Sequence, residues 1–326
     1  MSQQIARLPT TAPGTHTEAF QFADWGLLVA IATIWGSSFV FIEIGIETFA
    51  PAVVALARLV LGMVALAVLP RARRPVERHH LPRIALVGVL WMGIPLLLFP
   101  LAQRHVDSSV AGMINGALPL FSALVASLLL QRLPGLWQIA GLMVGFIGVI
   151  GITLPNAGGA GASRFGVGLL LVAVMCYGVA ANLSVPLQQR YGSLPVLLRA
   201  QLFAIVVVLP FGVVGAFDSS WSWAGGLAMV PLGVLGTGLA FVAAATLVGR
   251  VGAPRGAVAI YFVPVVAIVL GHVVLDEEIK PAALAGTALV LVGAWLTSRR
   301  EPVPAESFPG DGRSVELPGE EGYLPR

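Results

Sequence analysis

Long apolar stretches separated by short polar segments run along most of this 326-residue chain. A bilayer core about 30 Å thick needs roughly 20 apolar residues in an α-helix. Most of the stretches reach that length, so the pattern predicts ten transmembrane helices. Their expected bounds are Trp25–Ile46, Pro51–Leu69, Ile84–Ala102, Ser109–Leu130, Leu136–Leu154, Gly166–Leu187, Pro195–Ala216, Ala224–Val248, Ala257–Leu275 and Pro281–Thr297.

The chain repeats itself at an offset of 145 residues, which pairs Gly88 with Gly233 and Pro119 with Pro264. Each half contains five of the predicted helices. Because five is an odd number, the second copy must lie upside down relative to the first. An inverted repeat in a membrane is typical of transporters that open alternately to the two sides.

These patterns predict an all-α integral membrane protein, with ten transmembrane helices as two inverted five-helix repeats around a central cavity. The first repeat is expected at 24–155 and the second at 166–298. Residues 1–23 are mostly polar and are expected to form a cytoplasmic N-terminal tail. Residues 299–326 are rich in Pro, Gly and charge, which predicts a disordered cytoplasmic C-terminal tail.

Composition excludes an ordinary soluble domain, since 57% of the residues are hydrophobic and only 11% are charged. The single cysteine, Cys176, excludes disulfides and cysteine metal clusters within one chain. No spacing typical of metal ligands or cofactor sites is evident. The acidic run Asp276-Glu277-Glu278 is interpreted as an exposed loop, although three adjacent acids could hold a cation.

The basic residues are distributed unequally between the two predicted sides. With the N-terminus inside, the outer loops carry Arg104, Arg164 and Lys280. The inner loops and flanks carry Arg7, Arg71, Arg73, Arg74, Arg78, Arg83, Arg132, Arg190, Arg250, Arg255, Arg299 and Arg300. This positive-inside bias predicts a multi-pass protein of the cytoplasmic (inner) membrane with both termini cytoplasmic. The basic residues are spread over many loops, which does not indicate nucleic acid as a partner.

Small residues predict how the helices pack. Gly141 and Gly145 have GxxxG spacing in the fifth predicted span, and Gly286 and Gly293 lie in the tenth. Such faces allow close backbone approach between membrane helices. These spans are expected to pack either on each other or across a dimer interface, so the sequence leaves monomer and homodimer open.

Several polar and aromatic residues lie at membrane depth, where they avoid lipid and turn toward neighbouring helices or water. Trp35-Gly36 matches Tyr177-Gly178 at an offset of 142, so both halves place an aromatic residue before glycine at one depth. The candidate substrate-binding residues are Trp35, Ser38, Trp91, Asn115, Tyr177, Asn182 and Tyr261.

Glu43 and Arg58 are charged residues within the first two spans. Their expected depths differ by only about 6 Å, so an ion pair across the cavity wall is plausible. In a functional interpretation they tune the charge of the cavity, and Glu43 carries a coupling proton. In a structural interpretation they form an ion pair only, or Glu43 reaches the outer interface.

The ordered motifs resemble the drug/metabolite transporter superfamily, in particular its EamA-type ten-helix members. Trp35-Gly36-Ser37-Ser38-Phe39 is similar to the WGSSF-type signature of that family, and Pro51 followed by Arg58 is similar to its second helix. The stretch from Pro264 to Gly293, with Glu277 nine residues before Gly286, resembles the end of an EamA repeat. The resemblance covers about residues 24–298.

That resemblance implies two inverted five-helix repeats that export small metabolites such as amino acids. Two positions depart from the family pattern. Family members often carry Lys where Glu43 stands, and Gln131-Arg132 replaces the acidic residue expected after the fourth span. A substrate or coupling ion therefore does not transfer directly from relatives.

We interpret the chain as a secondary transporter that exports a small organic metabolite, an amino acid or an amphipathic drug-like compound, by alternating access. No cofactor is expected, and coupling to protons is left open. A flippase for lipids or lipid-linked substrates is the alternative. An intramembrane enzyme is disfavoured because the chain has no HExxH and no DDxxD motif, and no catalytic residue is assigned.

Overall fold

The computed structural model describes residues 21–129, 136–153, 163–251 and 257–297, and the regular structure in these ranges is helical. Residues 1–20 of the predicted N-terminal tail, the whole predicted C-terminal tail (299–326) and the Gln131-Arg132 pair lie outside the described residues. The described α-helices are α1 (Phe22–Ile46), α2 (Pro51–Ala67), α3 (Arg78–Gln103), α4 (Ser108–Asn115), α5 (Leu118–Leu129), α6 (Leu136–Thr153), α7 (Arg164–Tyr191), α8 (Ser193–Ala216), α9 (Trp223–Val251), α10 (Val263–Leu275) and α11 (Pro281–Thr297).

Five of these helices, α1, α3, α7, α8 and α9, are long and apolar enough to cross a membrane. The helices α2, α10 and α11 are shorter but also apolar. Large apolar side chains point outward from the bundle, and on α8 Val206, Phe211 and Val214 are more than half exposed. A soluble monomer rarely exposes such a surface, whereas lipid covers it without cost. The fold is that of a multi-pass membrane protein.

Local sequence signals explain where several helices begin. The Ser163 Oγ accepts from the Gly166 N–H at 3.1 Å ahead of α7, and the Ser222 Oγ accepts from the Gly225 N–H at 3.0 Å ahead of α9. Each hydroxyl satisfies an amide that a first helical turn leaves without a backbone partner. Pro51 opens α2, where the missing amide proton has no cost.

The fourth predicted span is not one continuous helix. It is divided into α4 and α5 at Gly116-Ala117, and Pro119 lies in the first turn of α5. Proline has no amide proton to give to the preceding turn, so a new helix starts there more easily than the old one continues. Pro264 has the same place in α10, after the 3-10 turn Ala257–Phe262. Both prolines therefore lie in the first turn of a helix and not in a helix interior.

Two stretches have π-helical hydrogen bonding. They are Val89–Gly93 within α3 and Leu232–Leu239 within α9. A π turn contains an extra residue, leaves the regular bonding of the helix and occurs often at functional sites. Periodicity of apolar residues could not have predicted these stretches, because apart from Thr237 both consist of apolar residues and glycine.

The helices of the first half pack mainly against helices of the second. α1 contacts α9 and α10, while α7 contacts α3 and α5. Glycine makes two of these approaches possible: a Cβ on Gly36 would overlap Val266 of α10, and one on Gly178 would lie 3.0 Å from the backbone of Phe121 and Ser122 in α5. The glycines that follow Trp35 and Tyr177 therefore hold the two halves together.

α6 and α11 form the most extensive helix pair of the described structure. A Cβ on Gly148 would lie 2.6 Å from the Gly286 carbonyl oxygen, and one on Gly286 would lie 2.6 Å from the Ile152 nitrogen. Of the two arrangements expected for the GxxxG face, the structure shows packing of the two spans on each other within one chain.

We predict that Gly286→Ala lowers the stability of the folded protein, because its new methyl group would meet backbone atoms that cannot move aside. The expected loss is about 1–3 kcal/mol, the usual range for overpacking. Gly168→Ala is the matched control, since no heavy atom lies within 4 Å of its added Cβ. Thermal unfolding in detergent micelles measures both variants, and equal unfolding temperatures would contradict the prediction.

Candidate functional site

A central cavity of about 40 Å³ lies where helices of both halves meet. Aromatic side chains form most of its wall: Trp35, Phe39, Trp91, Phe99, Tyr177 and Phe241. The polar lining residues are Ser38, Arg58 and Asn115, and Leu118 and Ile260 complete it. A space of this size accommodates about one or two water molecules. The cavity must therefore widen before it can admit a metabolite.

The aromatic rings of the wall contact one another edge to face or stacked. The Trp35 and Phe241 centroids are 5.1 Å apart in a T-shaped arrangement, and those of Trp91 and Phe241 are 5.8 Å apart. Phe99 stacks on Tyr177 at 5.8 Å. Such pairs stabilise a defined geometry while they present apolar faces to the cavity.

The π-helical stretch of α9 supplies hydrogen-bond acceptors to this wall. The Trp35 Nε1–H donates to the Gly236 carbonyl oxygen at 3.0 Å, and the Gln201 Nε2–H donates to the Thr237 carbonyl oxygen at 2.8 Å. Side chains can reach these carbonyls because the stretch departs from α-helical bonding. Irregular backbone at membrane depth is tolerated where protein groups satisfy it, as they do here.

Arg58 brings a positive charge to the cavity. Its side chain is buried, and its Nε–H donates to the Thr237 Oγ1 at 2.9 Å. None of the ion pairs among the described residues includes Arg58. Gly236 lies beside it and makes room for Ser38, because a Cβ there would lie 2.8 Å from the Ser38 Oγ. A buried guanidinium without an acidic partner is costly and suited to an anionic ligand.

The predicted ion pair between Glu43 and Arg58 is wrong, because each residue has another partner. The Glu43 carboxylate accepts from the Gln103 Nε2–H at 3.0 Å, and the same amide also donates to the Phe39 carbonyl oxygen at 2.9 Å. Glu43 does not line the central cavity and lies between α1 and the end of α3. Helical rise gave the depths of the two charges, but it does not give their directions around the helix axis.

The structure brings five of the seven candidate binding residues together at the central cavity: Trp35, Ser38, Trp91, Asn115 and Tyr177. Asn182 does not line the central cavity. It is buried, and its Nδ2–H₂ group donates to the Ser122 and Gly178 carbonyl oxygens at 3.0 and 2.9 Å, which joins α7 to α5. Tyr261 belongs to the 3-10 turn, and its side chain lies outside the described residues.

Sequence reasoning missed the phenylalanines of the wall and the contribution of Thr237. Phe99 and Phe241 gave no signal, since phenylalanine is as common on the lipid face as at a cavity. Thr237 lies in a run of glycine, leucine and valine, Leu232–Leu239, and could have been noticed as the one hydroxyl of that run. Its Oγ1–H donates to the Leu232 carbonyl oxygen at 3.1 Å while it accepts from Arg58.

A second cavity of about 30 Å³ adjoins the central one, since both are lined by Trp35, Trp91, Leu118 and Ile260. Its other lining residues, all small or aliphatic except one serine, are Ile31, Ser122, Ala181, Ala244, Val248 and Ala259. The second cavity extends the central one toward the end of the bundle where α7 and α9 finish.

Glu277, which follows α10, binds the N-terminal end of α4. Its Oε1 accepts from the Ser108 N–H at 2.9 Å and from the Ser108 hydroxyl, and its Oε2 accepts from the Ser109 N–H at 2.9 Å. The carboxylate thereby satisfies first-turn amides and meets the positive end of the helix dipole. Asp276 and Glu278 are exposed as predicted, but Glu277 is a structural contact.

Asp107 shares this end of the bundle with Glu277. Burial raises the pKa of the Asp107 carboxyl, the negative charge of Glu277 raises it further, and Lys280 opposes the rise. Of the three acidic residues after α10, Glu277 therefore acts on both α4 and Asp107.

At the start of α3, exposed Glu77 and His79 and buried His80 place one potential ligand atom each within 4.8 Å of one another. All three side chains are already engaged. Glu77 accepts from Arg190, His79 lies 3.4 Å from Glu77, and the His80 Nδ1 is 2.6 Å from the Tyr191 hydroxyl. These contacts join the start of α3 and the residue before it to the end of α7.

Comparison with known proteins shows what the chain is similar to. Residues 24–154 and 164–299 match the EamA-like transporter family. The "Probable terminal-alkyne amino-acid exporter" of Streptantibioticus cattleyicolor is 32% identical over 282 residues, which are 85% of this chain and 94% of that protein. The "Uncharacterized inner membrane transporter YedA" of Escherichia coli K12 is 27% identical over 76% of this chain and 81% of its own length. A solved crystal structure has the same fold, with a TM-score of 0.60 at 19% identity over 86% of this chain and 99% of that one.

We predict that Glu277→Ala destabilises the protein by about 1–3 kcal/mol, because it leaves the first-turn amides of α4 without their acceptor. Glu278→Ala removes an exposed carboxylate from the neighbouring position and is expected to change stability by less than about 0.5 kcal/mol. Thermal unfolding of the two variants in micelles tests the difference. Similar losses for both would mean that the contact with α4 contributes nothing.

Proposed function

The chain belongs to the EamA-like transporter family, and we propose that it exports a small organic metabolite that carries a carboxylate and an apolar side chain. An amphipathic amino acid is the first substrate to consider. The observation that carries this proposal is Arg58, a buried guanidinium at an aromatic cavity with no acidic residue bound to it.

The charge of Arg58 fits a substrate carboxylate. An unpaired charge at membrane depth costs on the order of 3 kcal/mol by insertion scales, and a bound anion would offset that cost during transport. Thr237 holds the Nε–H of the guanidinium at 2.9 Å, so its position at the wall is defined. Arginine is well suited to this role because its planar fork binds carboxylates through two parallel hydrogen bonds.

The aromatic wall fits the remainder of such a substrate. Rings of Trp35, Trp91 and Tyr177 would contact an apolar side chain, while Ser38 and Asn115 offer hydrogen bonds to an ammonium or amide group. Pockets for small molecules commonly combine an apolar lining with few polar groups that fix orientation. The exporter relative that is 32% identical is named for an amino acid with an apolar alkyne group, which agrees with this chemistry.

We propose ten transmembrane spans arranged as two inverted repeats, with α4 and α5 together forming the fourth span, and the 3-10 turn and α10 the ninth. The proposed repeats are residues 24–155 and 166–298. Contacts support the arrangement, since α1 packs on α10 as α7 packs on α5. The two π-helical stretches also correspond, because Trp91 of one and Gly236 of the other are 145 residues apart.

Alternating access in this architecture would expose the central cavity first to one side and then to the other. Glu43 is proposed as a coupling or charge-tuning residue beside the path, since it is half-buried and its known partner is the neutral amide of Gln103. Protons, the lipid bilayer and a small-molecule substrate are the proposed partners. The location proposed is the inner membrane, with both termini cytoplasmic.

We predict that the purified protein moves amphipathic amino acids in liposomes and that Arg58→Gln raises KM by about ten- to hundredfold. A hydrogen bond to a charged group contributes about 1.5–3 kcal/mol, which corresponds to that factor. Arg58→Lys keeps the charge and is expected to retain part of the affinity. The assay is uptake of a panel of radiolabelled amino acids and amphipathic drugs with and without an imposed pH gradient.

Proton coupling through Glu43 predicts that Glu43→Gln abolishes the response to the pH gradient. The matched control is Glu47→Gln, which neutralises an exposed carboxylate one helical turn away. Uptake by Glu43→Gln that still follows the gradient would exclude Glu43 as the proton site. Equilibration without any response to the gradient in the wild type would mean facilitated diffusion, and movement of lipid alone would mean a flippase.

We predict that Arg78 and Ser220 lie on opposite sides of the membrane, Arg78 inside and Ser220 outside. Cys176→Ser removes the single cysteine, and Arg78→Cys or Ser220→Cys then adds one exposed thiol. A membrane-impermeant maleimide should label the Ser220→Cys protein in intact cells and the Arg78→Cys protein only after lysis. The reverse pattern would invert the proposed orientation.

A further inference from the structure

Three potential metal ligands lie together at the arginine-rich end of the bundle, which the positive-inside bias predicts to be cytoplasmic. Glu77 precedes α3, and His79 and His80 belong to the 3-10 turn Arg78–His80 with which α3 begins. One ligand atom of each side chain lies within 4.8 Å of those of the other two. We name these three residues the α3 ligand cluster. None of them lines the central or the second cavity, so the cluster is separate from the proposed substrate site.

The local backbone brings the α3 ligand cluster together. The His80 N–H donates to the Glu77 carbonyl oxygen at 3.0 Å. A 3-10 turn places residues three apart on one side, which accounts for the approach of the Glu77 and His80 side chains. The centroid of the adjacent His79 ring lies 3.9 Å from that of His80. Four consecutive residues therefore gather all three groups, and no distant segment has to supply a ligand.

The separation of two ligand atoms fits a tetrahedral metal ion. The Glu77 Oε2 and the His79 Nε2 are 3.4 Å apart. Bonds of about 2.0–2.2 Å to a tetrahedral zinc ion place two ligand atoms about 3.4 Å from each other. The same separation is long for a hydrogen bond between these atoms. One ring nitrogen of His80 has to move by at most about 1.4 Å to complete the third position, since it lies within 4.8 Å of both atoms.

The hydrogen bonds around the cluster leave the Glu77 Oε2 and the His79 Nε2 available. Arg190 and Tyr191, at the end of α7, both bind the Glu77 carboxylate through its other oxygen, Oε1. The Tyr191 hydroxyl also lies 2.6 Å from the His80 Nδ1 and orients that ring. Carboxylates and imidazoles that bind metals are commonly held by a second set of partners of this kind.

A hydrated ion can reach the cluster from the aqueous phase. The side chains of Glu77 and His79 are 47% and 37% exposed, whereas His80 is buried. Two of the three ligands therefore meet water directly. Three protein ligands leave the fourth tetrahedral position to a water molecule.

The charges around the cluster indicate the kind of metal. Glu77 is its one carboxylate, and Arg190 already compensates that charge. Arg83, one turn further along α3, donates to the Leu183 carbonyl oxygen at 2.9 Å. A hard cation such as Mg²⁺ is bound by oxygen ligands and would gain little here. A borderline metal such as Zn²⁺ bonds well to imidazole nitrogen, so two histidines and one carboxylate suit it.

We propose that Glu77, His79 and His80 form a binding site for a borderline divalent metal ion such as Zn²⁺. The Glu77 Oε2, the His79 Nε2 and one ring nitrogen of His80 would bind the metal, and water would complete the tetrahedron. Because Glu77 and His80 also contact Arg190 and Tyr191, the bound metal would reinforce a contact between α3 and α7, which belong to different halves of the chain. The site does not depend on the proposed function.

The test is calorimetric titration of Zn²⁺ into the full chain in detergent micelles, purified without a polyhistidine tag. We expect the affinity for Zn²⁺ to fall about tenfold or more in Glu77→Gln and in His79→Ala. His79→Ala keeps the contacts of Glu77 and His80 with α7, so the variant is expected to fold. His105→Ala is the matched control with unchanged affinity, since His105 is also exposed but lies just after the other end of α3.

Co²⁺ gives an independent readout of the ligand geometry. Tetrahedral Co²⁺ absorbs visible light much more strongly than octahedral Co²⁺. Addition of Co²⁺ to the wild type should therefore produce an intense visible band, which His79→Ala should lack and His105→Ala should keep. Zn²⁺ should remove the band by displacement, whereas Mg²⁺ at the same concentration should leave it unchanged.

Thermal unfolding measures the link to the fold. Zn²⁺ should raise the unfolding temperature of the wild type more than that of His79→Ala, because an ion that binds the folded state stabilises it. Equal affinity for Zn²⁺ in the wild type, Glu77→Gln and His79→Ala would overturn the proposal, since the ion would then be bound elsewhere. Absence of the Co²⁺ band from the wild type, or its loss on addition of Mg²⁺, would overturn it as well.

Discussion

The need to satisfy every polar group without water shapes this bundle. Inside a bilayer, each backbone carbonyl and each buried side-chain donor must find its partner in the protein. Beside the central cavity, the π-helical stretch Leu232–Leu239 shows how this requirement is met. Its altered bonding makes the Gly236 and Thr237 carbonyls available, and Trp35 and Gln201 bind them. The same stretch presents the Thr237 hydroxyl, which accepts a hydrogen bond from Arg58. One stretch of backbone therefore positions both the Arg58 guanidinium and the Trp35 ring of the cavity wall.

Close approach of backbones accounts for the rest of the architecture. Gly36 and Gly178 follow the two aromatic residues that face the cavity from α1 and α7, and each allows its helix to touch a helix of the other half. A side chain at either position would move an aromatic wall residue together with its helix. Packing and site geometry are therefore linked through adjacent residues in the sequence, which is why the aromatic–glycine pair was informative before any contact was known.

The sequence predicted the helical class, the presence of long apolar helices and five of the residues that line the central cavity, because burial in a membrane leaves its trace in residue type. The sequence predicted less well the contacts that depend on the direction in which a side chain leaves the helix axis. Glu43 and Arg58 have similar depths but separate partners, and Asn182 joins two helices instead of lining the cavity. It also missed breaks in helical bonding, such as the division at Gly116 and the π-helical stretches, since these follow from tertiary contacts that composition does not record.

The helices of each half of the chain pack mainly against helices of the other half. Helices α1 to α6 leave their glycine faces uncovered until α7 to α11 are in place, and the reverse is equally true. Neither half has a complete interior of its own. In terms of assembly, the two halves relate to each other as the subunits of an obligate heterodimer that happens to be translated as one polypeptide.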